Sequence, residues 1–168
     1  CQQNSLMTID KRIKRHLLSR PADFFASTAP GVEKLCRAEL LFSGFSPQRI
    51  MAETGGVAFS GPIHEGYRAN LCLRTANRIL MRMAAFSVTS FRRLEKQAAA
   101  LPWELYLPSN ADCQISVTSR KSRLFHSGAV AERLHAAIEK RRESMGMTSA
   151  NENQAGVQPQ QIFVRVEN

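Results

Sequence analysis

Apolar positions along this chain change their period several times, and each change marks an element. Phe24 and Phe25 open an aromatic-rich run, 24–28, that predicts a short strand. Pro30-Gly31 reads as a turn. Val32, Leu35, Cys36, Leu40 and Leu41 then recur at helical spacing, with Glu33, Lys34, Arg37 and Glu39 on the other face and Gly44 suited to the C-terminal cap. Residues 49–53 predict a second strand, Gly55-Gly56 a tight reversal, and 57–59 its hairpin partner. Pro62 opens a second helix with Ile63, Tyr67 and Leu71 along one face and Asn70 as an open fourth member. From Arg78 the chain alternates, Ile79, Met81 and Met83 against Leu80, Arg82 and Ala84, which predicts a strand to about residue 90. The order β-α-β-β-α-β is the split-βαβ, or ferredoxin-like, arrangement, here expected over 22–90.

A second set of elements follows. Phe91, Leu94, Ala98 and Leu101 form one stripe of a helix that Pro102 stops. Trp103 and Tyr106 beside the prolines have two readings: stacking on nucleic-acid bases, or pinning the helix end to a core. Cys113, Ile115 and Val117 alternate with Gln114, Ser116 and Thr118 as a strand, and Val130, Leu134, Ala137 and Ile138 define a helix to about residue 143. Residues 144–160 read as a flexible polar connection and 162–166 as a last strand. Two strands make an incomplete sheet, so the sequence is expected to be a piece of a longer protein. The organisation expected is a basic arm over 1–21, mobile and either extended or helical, a domain over 22–90, and a second over 91–168.

Charge sharpens this picture. Lys and Arg total 23 against 14 Asp and Glu, a formal charge of +9 with a pI near 10.0. That excess favours a polyanionic partner, with solubility alone as the plainer reading. Residues 10–19 carry five Lys, Arg or His. Cys1, Cys36, Cys72 and Cys113 form no Cys-x-x-Cys pair, which gives a zinc site little support and suits a reducing cytosol. No run approaches the length of a membrane helix, and no signal-peptide layout opens the chain. Leader residues before a start near Met7 explain Cys1 better than a lipidated first residue does.

The chemistry legible in the sequence is binding rather than catalysis. There is no Gly-rich phosphate loop, no Gly-x-Ser-x-Gly elbow, and no spacing that ties His16, His64, His126 or His135 to a nucleophile. The expected catalytic, cofactor and metal residues are therefore none. A basic loop leaves one strand and enters a helix: Arg120, Lys121, Arg123 and His126 supply charge, while Ser127 and the first helical amides supply donors. Phosphate is drawn to both features, although such a run is also an ordinary solvated turn. Arg74 and Arg78, at a helix-to-strand junction, suit either RNA contact or a structural role, capping helix carbonyls and pairing with a carboxylate such as Glu33 or Glu65.

Several runs, in order, carry a resemblance: Phe24-Phe25-Ala26-Ser27-Thr28-Ala29-Pro30-Gly31-Val32-Glu33, Glu53-Thr54-Gly55-Gly56-Val57-Ala58-Phe59, Arg68-Ala69-Asn70-Leu71-Cys72-Leu73-Arg74-Thr75-Ala76-Asn77-Arg78, Leu101-Pro102-Trp103 and Ser116-Val117-Thr118-Ser119-Arg120-Lys121-Ser122. From about Asp23 onward the chain resembles the N-terminal ferredoxin-like plus THUMP region of bacterial 23S ribosomal-RNA guanine-N2 methyltransferases. The resemblance implies an α+β fold, a ferredoxin-like (split βαβ) subdomain followed by a THUMP-type α/β subdomain incomplete at its C-terminus. It implies a cytoplasmic RNA-recognition part whose partners are ribosomal RNA and a covalently following methyltransferase domain, with no membrane. S-adenosylmethionine would serve the parent enzyme and no cofactor this chain, since neither a cofactor-binding loop nor an Asn-Pro-Pro stretch for the target amine is present. Alternatives are a protein-interaction domain of the same assembly, or the THUMP module of a tRNA methyltransferase or thiouridine synthase.

Overall fold

A computed structural model describes residues 11–107, 112–120, 127–147 and 159–167. They fall into two units, the first running to Ala85 and the second beginning at Phe86.

The first unit is built on four strands, β1 (Ala22–Thr28), β2 (Ile50–Glu53), β3 (Gly56–Gly61) and β4 (Ala76–Arg82), and two helices, α1 (Glu33–Phe42) and α2 (Ile63–Cys72). The sheet order is β2-β3-β1-β4, with every neighbouring pair antiparallel. This is the split-βαβ order read from the sequence. Ahead of β1, Lys14–Leu18 forms a π-helical turn within the basic segment.

Alternation decides which face of β1 is buried. Phe24, Ala26 and Thr28 point inward, while Phe25 and Ser27 between them are only half-buried. Phe24 stacks on Phe59 at 5.1 Å, Phe45 meets Phe59 edge-on at 5.5 Å, and Cys36, Leu40, Ile50, Val57 and Ala69 close the core. Gly55, at φ +86°, makes the β2–β3 reversal that only glycine takes without strain.

Two sequence expectations change here. Tyr67 and Leu71 were expected on the inward stripe of α2, yet Leu71 is 87% exposed and Tyr67 also faces outward. The inward positions belong to Gly66 and Ala69, because the Phe24 ring lies directly under the helix. A Cβ on Gly66 would sit 2.4 Å from Phe24 Cε1, so aromatic bulk on the strand excludes bulk on the helix. The fourth strand also ends at Arg82 rather than near residue 90, because Arg82 pairs with Asp23 and β1 offers no ladder beyond its start at Ala22.

The second unit holds α3 (Phe91–Ala100), β5 (Cys113–Arg120), α4 (Ser127–Ser144) and β6 (Gln160–Glu167). β5 and β6 pair in parallel, from Cys113 opposite Gln160 to Arg120 opposite Glu167. Leu94 and Ala98 of α3 meet Val130, Leu134 and Ala137 of α4, with Ile115, Val117, Val164 and Val166 packed beneath them. Ser90 caps α3 by accepting the Arg93 N–H. The indole of Trp103 is buried and donates to the Ala98 carbonyl at 2.7 Å, which settles its two readings in favour of pinning the helix end. Beside it Glu104 is almost wholly buried and takes two bonds from Arg141 of α4, at 2.9 and 3.2 Å. That fork raises the Arg141 pKa above its ordinary value.

Candidate nucleic-acid interface

The α2–β4 junction is organised by Glu39, whose helical spacing places it on the polar face of α1. Glu39 accepts the backbone N–H groups of Arg74 at 3.2 Å and Thr75 at 3.1 Å, and the Thr75 hydroxyl at 2.6 Å. The Thr75 hydroxyl, followed by these amides and the Arg74 charge, holds the Glu39 carboxyl below its usual pKa. Of the acids expected as partners of Arg74 and Arg78, Glu33 accepts the Gly55 N–H at 3.1 Å and Glu65 sits 3.6 Å from Arg68. The backbone of Arg74 is thus pinned while its side chain stays exposed. Arg78 is exposed on β4, opposite Ser27, on the strand face opposite Ile79 and Met81, which pack into the core. Only the three-dimensional packing of α1 against the junction reveals Glu39; its helical position gave no signal.

In the second unit, Arg120 closes β5 and Ser127 is the exposed first residue of α4. Lys121, Arg123 and His126, between them, lie outside the described residues. The strand end and the helix start are the described residues on either side of them. α3 adds a cationic surface that the sequence reading did not single out. Arg92, Arg93 and Lys96 are all exposed, and Arg93, Lys96, Gln97 and Ala100 line a shallow groove. Three cations within five positions on the polar half of an amphipathic helix were the available signal. Nearby Arg133 is committed differently, to Glu95 at 2.5 Å and over the Phe91 ring at 5.4 Å.

Among the described residues, Asp112, Cys113 and His135 each bring one potential metal-ligand atom within 4.8 Å of the others. Spacing alone concealed this, since 22 residues separate Cys113 from His135. Gly55 opens no nucleotide cradle: it turns between two antiparallel strands and leads into no helix. No described helix is long and apolar enough to cross a membrane.

Comparison with known proteins bears on the same elements. Residues 23–80 match the family described as the RlmL ferredoxin-like domain. The chain is 31% identical over 121 residues to the ribosomal RNA large subunit methyltransferase K/L of Syntrophotalea carbinolica, covering 72% of this chain and 17% of that protein. The chain thus spans less than a fifth of that curated relative. Among solved structures, a predicted N6-adenine-specific DNA methylase from Listeria monocytogenes superposes with a TM-score of 0.73 at 27% identity, over 88% of this chain and 38% of that one. SMU.472, a putative methyltransferase complexed with SAH, gives 0.72 at 25% identity, over 89% of this chain and 40% of that one. Both superpositions extend past the ferredoxin-like domain, since residues 23–80 make up only about a third of this chain.

Proposed function

We propose that this chain, whose residues 23–80 are a ferredoxin-like domain of the RlmL type, is the RNA-recognition part of an S-adenosylmethionine-dependent rRNA guanine-N2 methyltransferase. The match of that domain, alongside relatives named as ribosomal RNA methyltransferases, is the observation that carries the reading. The second unit is the THUMP module in this reading. The methyltransferase domain and its cofactor site belong to a covalently following part of the parent, which works on ribosomal RNA in the cytoplasm.

The residues do the work of delivery. Arg120, Lys121, Arg123 and His126 neutralise backbone phosphates, while the Ser127 hydroxyl and the first amides of α4 donate to a phosphate oxygen. Arg92, Arg93 and Lys96 of α3 extend the cationic contact within the same unit. Arg74 and Arg78 contribute charge from the first unit. Such contacts read shape and charge more than sequence, and they hold a target guanine for methylation of its exocyclic amine.

The test is salt-dependent affinity of the whole chain for ribosomal-RNA hairpins. Lys121→Ala with Arg123→Ala weakens binding and flattens the log-affinity against log-salt slope by about 1.5, the loss of two phosphate contacts. An unchanged affinity and slope would remove the loop from the interface.

A second reading, docking of a protein partner, is favoured by apolar side chains exposed on α1 and α2: Phe42 at 95%, with Leu35, Tyr67 and Leu71. Under that reading Phe42→Ser with Leu71→Ser abolishes a protein complex and leaves RNA affinity untouched.

A further inference from the structure

Three donors of three kinds converge in the second unit, and the RNA reading uses none of them. Asp112 immediately precedes β5, Cys113 is its first residue, and His135 lies in the middle of α4. Their carboxylate oxygen, thiol sulfur and imidazole nitrogen all lie within 4.8 Å of one another. We propose that these three residues form a zinc(II) site, with water in the fourth position.

The placement favours a built site. Asp112 is anchored twice: its carboxylate accepts the Cys113 N–H at 2.8 Å, and its carbonyl accepts the Gln160 N–H at 2.8 Å. Cys113 is buried at the start of the parallel β5–β6 ladder, so its sulfur has a fixed origin. Asp112 and His135 are exposed, and the His135 side chain can rotate toward the anchored Asp112 carboxylate and the Cys113 sulfur. Zinc bonds to sulfur at about 2.3 Å and to nitrogen or oxygen at about 2.0–2.1 Å, so tetrahedral ligands stand roughly 3.5 Å apart. Closing the cluster therefore needs a contraction of roughly 1 Å, within the reach of the exposed imidazole.

Donor chemistry selects the ion. One thiolate and one imidazole disfavour calcium and magnesium, which take oxygen, and suit a borderline-soft divalent ion. Glu139, one helical turn beyond His135, is paired with Arg142 at 3.1 Å. Binding transfers the Cys113 proton to solvent and leaves a thiolate on the metal. The bound ion would clip the first residue of β5 to the middle of α4, and so stabilise the second unit rather than the RNA-facing loop.

The experiment uses the full chain, stripped with a chelator and titrated with cobalt(II) as a spectroscopic stand-in, then with zinc(II). Expected are a near-ultraviolet thiolate-to-cobalt charge-transfer band, its loss on adding zinc, and a higher melting temperature with zinc. Cys113→Ser removes the band. His135→Asn, at an exposed position that leaves the fold intact by circular dichroism, lowers zinc affinity at least tenfold. A band that survives Cys113→Ser belongs to Cys1, Cys36 or Cys72 and overturns the proposal. So does a zinc affinity that His135→Asn leaves unchanged.

Discussion

Glu39 shows how much one side chain settles at a junction. Its carboxylate gathers two backbone amides and a hydroxyl where α2 hands over to β4, giving partners to donors in the turn between them. Its pKa is lowered in the folded chain, so its contribution is fully present above the ordinary carboxylate value and lost as pH falls through the lowered one. Glu39→Gln is expected to cost about 1 kcal/mol at neutral pH, a charge-assisted contact discounted for partial exposure. Chemical denaturation across the acid range checks this. The gap between wild type and Glu39→Gln should close once Glu39 is protonated, and a gap that persists in acid would mean the carboxylate charge is not its source.

At the scale of elements, the Glu104–Arg141 fork ties the turn after α3 to the last turns of α4. Glu104→Gln leaves a guanidinium half-satisfied beside a buried amide, at an expected cost of about 2 kcal/mol. A double-mutant cycle with Arg141→Met should return a coupling of about 1 kcal/mol or more, and additivity would show the fork to be incidental. This pair also marks where sequence reading stops. The period of α4 was plain, and Val130, Leu134, Ala137 and Ile138 are all buried as their spacing requires. The same logic put Tyr67 and Leu71 of α2 inward and failed. There the space is decided by Phe24, more than forty residues away in the sequence, which demands glycine at position 66. Residues that meet across such separations, Glu39 with Thr75 or Cys113 with His135, carry no local period for a reader to find. The strand order, by contrast, follows from the sequence of element types alone, and the structure has it.

For the molecule as a whole, a charge of +9 predicts attraction to any polyanion, and attraction alone does not make a recognition module. Of the basic run expected at 120–127, the structure describes only Arg120, where β5 ends, and Ser127, where α4 begins. The α3 cations were harder to single out because an amphipathic helix carries charge on its outer face whether or not a ligand binds there. What separates a recognition surface from a merely basic one is preference among polyanions of equal charge. The deciding measurement is therefore competition binding by the whole chain, near physiological salt, between folded ribosomal-RNA hairpins and duplex DNA of equal length, beside a basic control protein of the same net charge. The account predicts at least a tenfold preference for the RNA hairpins that the control lacks; equal affinity for both nucleic acids, matched by the control, would contradict it.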